Sequence, residues 1–363
     1  MKRIKVAHVV SGDLWGGAEA QALSLIYQQR LFADVLLITF NQGELFLRAG
    51  SKGLDVVCVD EKDFGIAAII VKLRKILSDF QPDVVHSHGY KENFLSGISS
   101  FYRGYLLVRT FHGRGMLGVN WKNDFIEKVN GIFFSKRIIS VSESLKDFIL
   151  SKGFDRKKIS VIHNGIDPAE SGIGRLSRLA LDLSHEDKVI GIIARLVPVK
   201  NHKCLIQAIS LEPLSQIRSK LLIIGDGPLR SKLEDYVDEL NVRDKVIFLG
   251  FKNNVSDFLS ILDLFVLASR DEGIPISLLE AMRASIPVVC TKVGGIPEII
   301  EDKITGLLVE PDDSKGMSEA CYRMLADKRF SDELARNSKE LIYSKFSLSK
   351  SVDDTLALYR ETI

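Results

Sequence analysis

The chain has 363 residues, of which 46% are hydrophobic and 26% charged, and its formal net charge is +2. That composition describes a soluble globular protein too long for one comfortable core, so two domains of ordinary size are expected. The near-balanced charge removes any global electrostatic case for nucleic acid as a partner.

The N-terminus, MKRIKVAHVVSG, enters a strand pattern directly and lacks the longer apolar region of a signal peptide. No stretch approaches the roughly 20 apolar residues of a membrane span. The four cysteines, Cys58, Cys204, Cys290 and Cys321, are far apart and lack a paired metal spacing. The first three sit in apolar patterns, which reads as buried free thiols in a reducing cytosol.

In chain order, short β-branched runs alternate with longer helical patterns. The first half offers strands at 4–10, 34–40, 54–60, 83–87, 106–111, 138–141 and 159–163. Helical patterns at 18–30, 67–80, 90–101, 124–134 and 144–151 separate them. A polar stretch at 168–187 reads as the connection between domains. Strands then resume at 189–194, 221–225, 246–249, 264–268, 287–290 and 306–309. The alternation predicts an α/β protein: two Rossmann-like, doubly wound domains at 1–167 and 168–346, with ligands outside the carboxyl ends of the strands. The helical pattern breaks at 346–349, and Val352, Leu356 and Tyr359 then recur at helical spacing.

Several strand ends carry residues fit for chemistry. Gly16 and Gly17 stand at the first strand–helix junction, where paired glycines let a backbone approach phosphate, although the spacing is not GxGxxG. His86 in its apolar strand reads as a satisfied core residue, whereas His88 and His112 fall at strand ends. Arg195 and Lys200, in ARLVPVKNH, could neutralise a diphosphate. The segment SRDEGIPISLLEAMRASIPVVCTKVGGIPEIIEDKITGLLVEPD puts Glu272 on a loop and Glu280 in the helix that follows. Two such carboxylates, with the free N–H groups of the first helical turn between them, could hold the two hydroxyl-bearing ends and the phosphates of a sugar nucleotide. Two helices of the first half, 65–77 and 120–137, mix apolar residues with cations. Basic amphipathic helices can lie on anionic lipid; alternatively their apolar faces pack on the sheet.

The 269–312 segment, the R-L-x-x-x-K run from Arg195 to Lys200, and the chain as a whole resemble the family 4 retaining glycosyltransferases. The resemblance implies the GT-B fold, two Rossmann-like domains facing a central cleft, with the terminal helix at 347–363 packed back on the first domain. It implies transfer of a sugar from a nucleoside-diphosphate sugar to an acceptor hydroxyl, with retention at the anomeric carbon. Arg195 and Lys200 would take the diphosphate, Glu272 the transferred sugar, Glu280 the ribose, and the N–H groups of Ile276 and Ser277 a phosphate. Gly16 and Gly17 would face the diphosphate, His112 the donor sugar, and the loop at Phe251 and Lys252 the base; His88 would lie on the acceptor side. Many relatives carry glycine where this chain has Pro275; a proline at the first helical position would cost one backbone phosphate contact. No cofactor and no metal are implied, in keeping with the lack of an Asp-x-Asp triplet. The expected acceptor is a lipid-linked or growing surface glycan, met by a cytoplasmic enzyme that visits the inner face of the membrane. Competing readings are an epimerase of the same fold and a non-catalytic sugar-nucleotide-binding module.

Overall fold

A computed structural model describes residues 3–13, 15–100, 103–115, 117, 121–167, 174 and 176–363, the side chain of residue 126 excepted. The chain divides into two compact units, Met1–Gly165 with Leu348–Ile363, and Ile166–Ser347.

In the first unit the order is β1 (Ile4–Val10), α1 (Gly17–Gln29), β2 (Ala33–Thr39), α2 (Glu44–Ser51), β3 (Val56–Cys58), α3 (Ile66–Phe80) and β4 (Val84–Ser87). Then come α4 (Tyr90–Ser100), β5 (Leu106–Phe111), α5 (Trp121–Phe133), β6 (Arg137–Ser140), α6 (Glu143–Ser151) and β7 (Ile159–Val161). The second unit runs β8 (Lys188–Ile193), α7 (His202–Ser210), β9 (Ser219–Ile224), α8 (Arg230–Glu239), β10 (Val246–Gly250), α9 (Val255–Leu259) and β11 (Leu264–Leu267). It continues with α10 (Ile276–Arg283), β12 (Val288–Thr291), α11 (Ile296–Ile299), β13 (Leu307–Val309), α12 (Ser314–Ala326) and α13 (Lys328–Lys345). The last helix, α14 (Leu348–Thr362), belongs to the first unit.

Both sheets are parallel and doubly wound. The first has the order β3-β2-β1-β4-β5-β6-β7, the second β10-β9-β8-β11-β12-β13. Strand order reverses between β1 and β4 in one and between β8 and β11 in the other, the switch points where such sheets bind ligands. Alternation of side chains along a strand explains the layering. Val6 and Val10 of β1 join a core with α1 and α14, whereas Ala7 and Val9 face the other core, with α3. Leu348, Val352, Leu356 and Tyr359 of α14 are buried in the first of these cores.

Four sequence expectations change. From Ile166 onward the chain already belongs to the second unit, so the connection is shorter than 168–187. Arg178 pairs with Asp263 at 2.9 Å and Leu183 is buried, which ties the later part of that stretch down; residues 168–173 and 175 lie outside the described set. The basic helix expected at 120–137 ends at Phe133, because Arg137 opens β6; residues 101 and 120, at expected helix ends, lie outside the described set. Helix α2, not foreseen, fills the gap before β3. Cys204 and Cys290 are buried free thiols, but Cys58 is only half-buried, since β3 is an edge strand.

Candidate active site

The second unit places Arg195, Lys200 and Glu272 on the loops that follow β8 and β11, at the switch point of its sheet. Arg195 follows β8 and is exposed; Lys200 closes the single turn Pro198–Lys200. Ser269, Glu272 and Pro275 lie on the loop from β11, the neighbour of β8, to α10. The two loops are zipped together: the Arg270 N–H donates to the Val199 carbonyl at 2.8 Å, and Asp312 accepts from Asn201 and Arg270. As a result Lys200 Nζ donates to both oxygens of Glu272, at 2.6 and 2.8 Å. Ser269 Oγ donates to Glu272 Oε1 at 2.7 Å, and Thr291 fixes Ser269 through its carbonyl. Sequence reasoning named Lys200 and Glu272 but missed that they form one unit, and missed Ser269 as its support.

Two glycine turns make this packing possible. A Cβ on Gly294 would overlap the carbonyl oxygen of Glu272, and that carbonyl accepts from the Gly295 N–H at 3.1 Å. Gly225, at φ +141°, lies so close to the Ala194 carbonyl that a side chain there would overlap it. The turn it opens accepts the Leu196 N–H on Asp226, which sets the backbone on which Arg195 rides.

Helix α10 carries Ile276 and Ser277 as its first residues and Glu280 one turn on, half-buried. Its first N–H groups have no intrahelical acceptor and form the positive end of the helix. Pro275 is the N-cap, in extended backbone (φ −74°, ψ 123°), and not the first helical residue. Its missing N–H thus falls outside the helix, and the donors of Ile276 and Ser277 are kept. Phe251 and Lys252 follow β10; Phe251 is exposed.

In the first unit, Gly16 is the N-cap of α1 and Gly17 its first residue. Glu92 of α4, which the sequence did not flag, accepts from the Ser11 N–H at 2.8 Å and fixes the start of the loop after β1. His88 and His112 stand one residue beyond β4 and β5. They do not act singly. Register pairs His8 of β1 with His86 of β4, and alternation puts His8, His86, His88, Thr110 and His112 on the sheet face that meets α1 and α14. His8 contacts Gln29 Oε1 at 2.8 Å and His88 at 3.1 Å; His88 contacts His112 at 3.2 Å. His86 is held between the Tyr359 hydroxyl, at 2.6 Å, and Thr110 Oγ1, at 2.7 Å. Burial pulls the pKa of His8 and His112 down to about 4 and that of His86 and His88 well below the usual histidine value. The reading of His86 as a satisfied core residue holds, but His8 was overlooked.

Donor atoms of His8, His86 and His88 fall within 4.8 Å of one another. A tetrahedral zinc would need its nitrogens about 3.3 Å apart. All six ring nitrogens are already engaged by His88, Gln29, Tyr359, Thr110, His8 and His112. In this arrangement the three rings belong to a hydrogen-bonded network.

The two basic helices differ. α3 buries Ile69, Leu73 and Leu77 against the sheet, leaving Lys72, Arg74 and Lys75 outward. α5 instead exposes Trp121 (74%), Phe125 (64%), Ile132 (47%) and Phe133 (74%). No helix among the described residues is long and apolar enough to cross a membrane.

Comparison with known proteins bears on this arrangement. The sequence profile described as Glycosyltransferase Family 4 matches residues 15–170, and that described as Glycosyl transferases group 1 matches residues 177–341. An uncharacterized glycosyltransferase of Methanocaldococcus jannaschii is 31% identical over 294 residues, covering 77% of this chain and 75% of its own. The chain belongs to the family 4 glycosyltransferases. The glycosyltransferase is also 28% identical to the UDP-Gal:alpha-D-GlcNAc-diphosphoundecaprenol alpha-1,3-galactosyltransferase of Escherichia coli, over 99% of this chain and 98% of that one. Its fold matches that of Anabaena HepE, solved with UDP and glucose, at a TM-score of 0.89 and 20% identity, covering 98% of this chain and 99% of that one. The fold is therefore GT-B. Neither the epimerase nor the non-catalytic module gains support from these relatives.

Proposed function

We propose that this glycosyltransferase moves a sugar from a nucleoside-diphosphate sugar to a hydroxyl of a lipid-linked or growing surface glycan, with retention at the anomeric carbon. The observation that carries the reading is the Lys200–Glu272 pair beside Arg195 and the N-terminus of α10, all at one switch point. Arg195, Lys200 and the N–H groups of Ile276 and Ser277 take the diphosphate, and Glu280 takes the ribose. Glu272 takes the sugar hydroxyls, and Phe251 with Lys252 borders the base. In the first unit, Gly16 and Gly17 serve the diphosphate, His112 the sugar and His88 the acceptor side.

In the reaction the bond from the anomeric carbon to the phosphate oxygen breaks, and the acceptor oxygen bonds to that carbon on the same face. The departing phosphate takes the acceptor's proton, so no protein nucleophile is required. Cations and helix N–H groups supply the charge stabilisation that a metal supplies elsewhere. The E. coli relative is named for a nucleotide-sugar donor and a polyprenyl-diphosphate acceptor, which supports this substrate class. Exposed Trp121, Phe125, Ile132 and Phe133, flanked by Lys122 and Lys128, give α5 a surface suited to the anionic inner face of a membrane.

A panel of sugar nucleotides, screened by shift of melting temperature and then by transfer to polyprenyl-diphosphate sugars, tests the reading. NMR of the product gives its anomeric configuration. An inverted product removes the retaining mechanism, and activity lost in EDTA but restored by magnesium removes metal independence.

A further inference from the structure

The hydrogen-bonded histidines of the first unit have a direction. With the Gln29 amide placed so that Oε1, which can only accept, lies 2.8 Å from His8 Nε2, the proton of His8 sits on Nε2; the Gln29 Nε2 then stays buried without a hydrogen-bond partner among the described residues. A neutral His8 then has a bare Nδ1, which accepts from His88 Nε2–H at 3.1 Å. His88 is left with a bare Nδ1 in turn, and accepts from His112 Nε2–H at 3.2 Å. The chain ends at His112 Nδ1, a buried atom with no hydrogen-bond partner among the described residues. His86 is no link in it: its ring stacks on His88 at 4.3 Å while Tyr359 and Thr110 engage its nitrogens. It serves as a wall that holds the His88 plane.

We propose that Gln29 is a positioning residue that sets the polarity of the His8–His88–His112 chain and thereby presents His112 Nδ1 as an acceptor to a hydroxyl of the transferred sugar. Gln29 is wholly buried at the end of α1, where it meets His8 and also interacts with the Tyr359 hydroxyl, and it reaches His112 through His8 and His88. The low pKa values of the four histidines keep the chain neutral near pH 7, as one-way tautomers require. An Nδ1 acceptor favours a donor sugar with a free hydroxyl at that point and disfavours a deoxy sugar, because a buried acceptor would then stay unpaired. The sugar contact rests on the role given to His112 above; the polarity does not.

The test uses the full-length protein labelled with nitrogen-15, and reads imidazole tautomers from two-bond proton–nitrogen correlations near neutral pH. His8, His88 and His112 should each appear as a single Nε2–H tautomer. Gln29→Glu keeps an acceptor and should preserve that signature. Gln29→Leu should abolish it at His112 while the backbone amide spectrum stays native, which reports that the fold is retained. An Nδ1–H tautomer of His112 in the wild type means that the Gln29 amide is turned and the polarity reversed, which overturns the proposal. So does a Gln29→Leu protein whose His112 remains a single Nε2–H tautomer. If Gln29→Leu does not fold, the wild-type and Gln29→Glu spectra decide alone, with Nδ1–H in either as the refuting result. Transfer is measured separately: loss of turnover in Gln29→Leu with rescue in Gln29→Glu supports the sugar contact. Unchanged turnover alongside altered tautomers overturns that contact alone and leaves the polarity standing.

Discussion

Lys200 Nζ bridges both carboxylate oxygens of Glu272, and the side chains of the two residues are 23% and 7% exposed. The cation assigned to the diphosphate thus already holds the carboxylate assigned to the sugar. On these proposed roles a donor would share Lys200 between them, which would couple recognition of the sugar to recognition of the diphosphate.

That pairing separates the two cations. Arg195 is exposed, so Arg195→Ala should leave stability within about 0.5 kcal/mol of wild type. Its transfer rate should fall roughly 10²–10³-fold, as for the loss of one donor to a developing charge. Lys200→Ala should lose as much rate and also about 1–3 kcal/mol of stability, because Glu272 is left without its charge partner. Parallel denaturant titrations and rate measurements check this; equal stability of the two variants would show that the pair is not held in solution.

Glu280→Ala should weaken binding of the free nucleoside diphosphate, whereas Glu272→Ala should spare it and lower turnover and sugar selectivity. Calorimetry with the nucleotide alone distinguishes the roles. Equal affinity in both variants would remove the division of labour between the two acids.

Acid should destabilise the protein through the buried histidines. Their folded pKa values lie below the unfolded value of 6.5, so the unfolded chain takes up protons that the folded chain refuses. Stability is therefore complete above about pH 6.5 and falls as pH drops, by about 1.4 kcal/mol per pH unit for each such histidine, until its folded pKa is reached. Urea midpoints at about pH 7.5 and about pH 5 measure the slope; a flat profile contradicts the burial.

The exposed face of α5 predicts reversible binding to anionic vesicles. Attraction of about 1 kcal/mol per basic residue makes it sensitive to salt. Flotation should be lost on Trp121→Ser with Phe125→Ser and weakened by charge reversal at Lys72, Arg74 and Lys75. A wild-type protein that stays in solution at low salt points to a soluble acceptor.

Sequence alone was enough to place the alternation of strands and helices and the tandem sheets, since each rests on local pattern, whereas the grouping of Arg195, Lys200, Glu272 and Glu280 came from the family resemblance. Long-range pairing was not legible. Glu272 lies 72 residues from Lys200, and only the β8–β11 neighbourhood brings them together. His8 looked like one polar residue in an apolar strand; strand register puts it beside His86, and α14 brings in Tyr359 from 273 residues away. Pro275 was misplaced by one position because helix starts depend on caps that composition does not define. On α5, apolar residues at helical spacing fitted burial and exposure equally well.

The terminal helix also fixes an order of events during synthesis. Domains fold as the chain emerges, usually the N-terminal one first. In this protein the core of the first unit lacks Leu348, Val352, Leu356, Leu358 and Tyr359 until that segment, translated after the whole second unit, emerges. The second unit, Ile166–Ser347, is complete by then, and its ends are already joined by the Ile166 N–H donating to the Phe346 carbonyl at 2.9 Å. The unit that starts first closes only after the second, so a chain cut off before Leu348 would carry a finished second unit and an open first one.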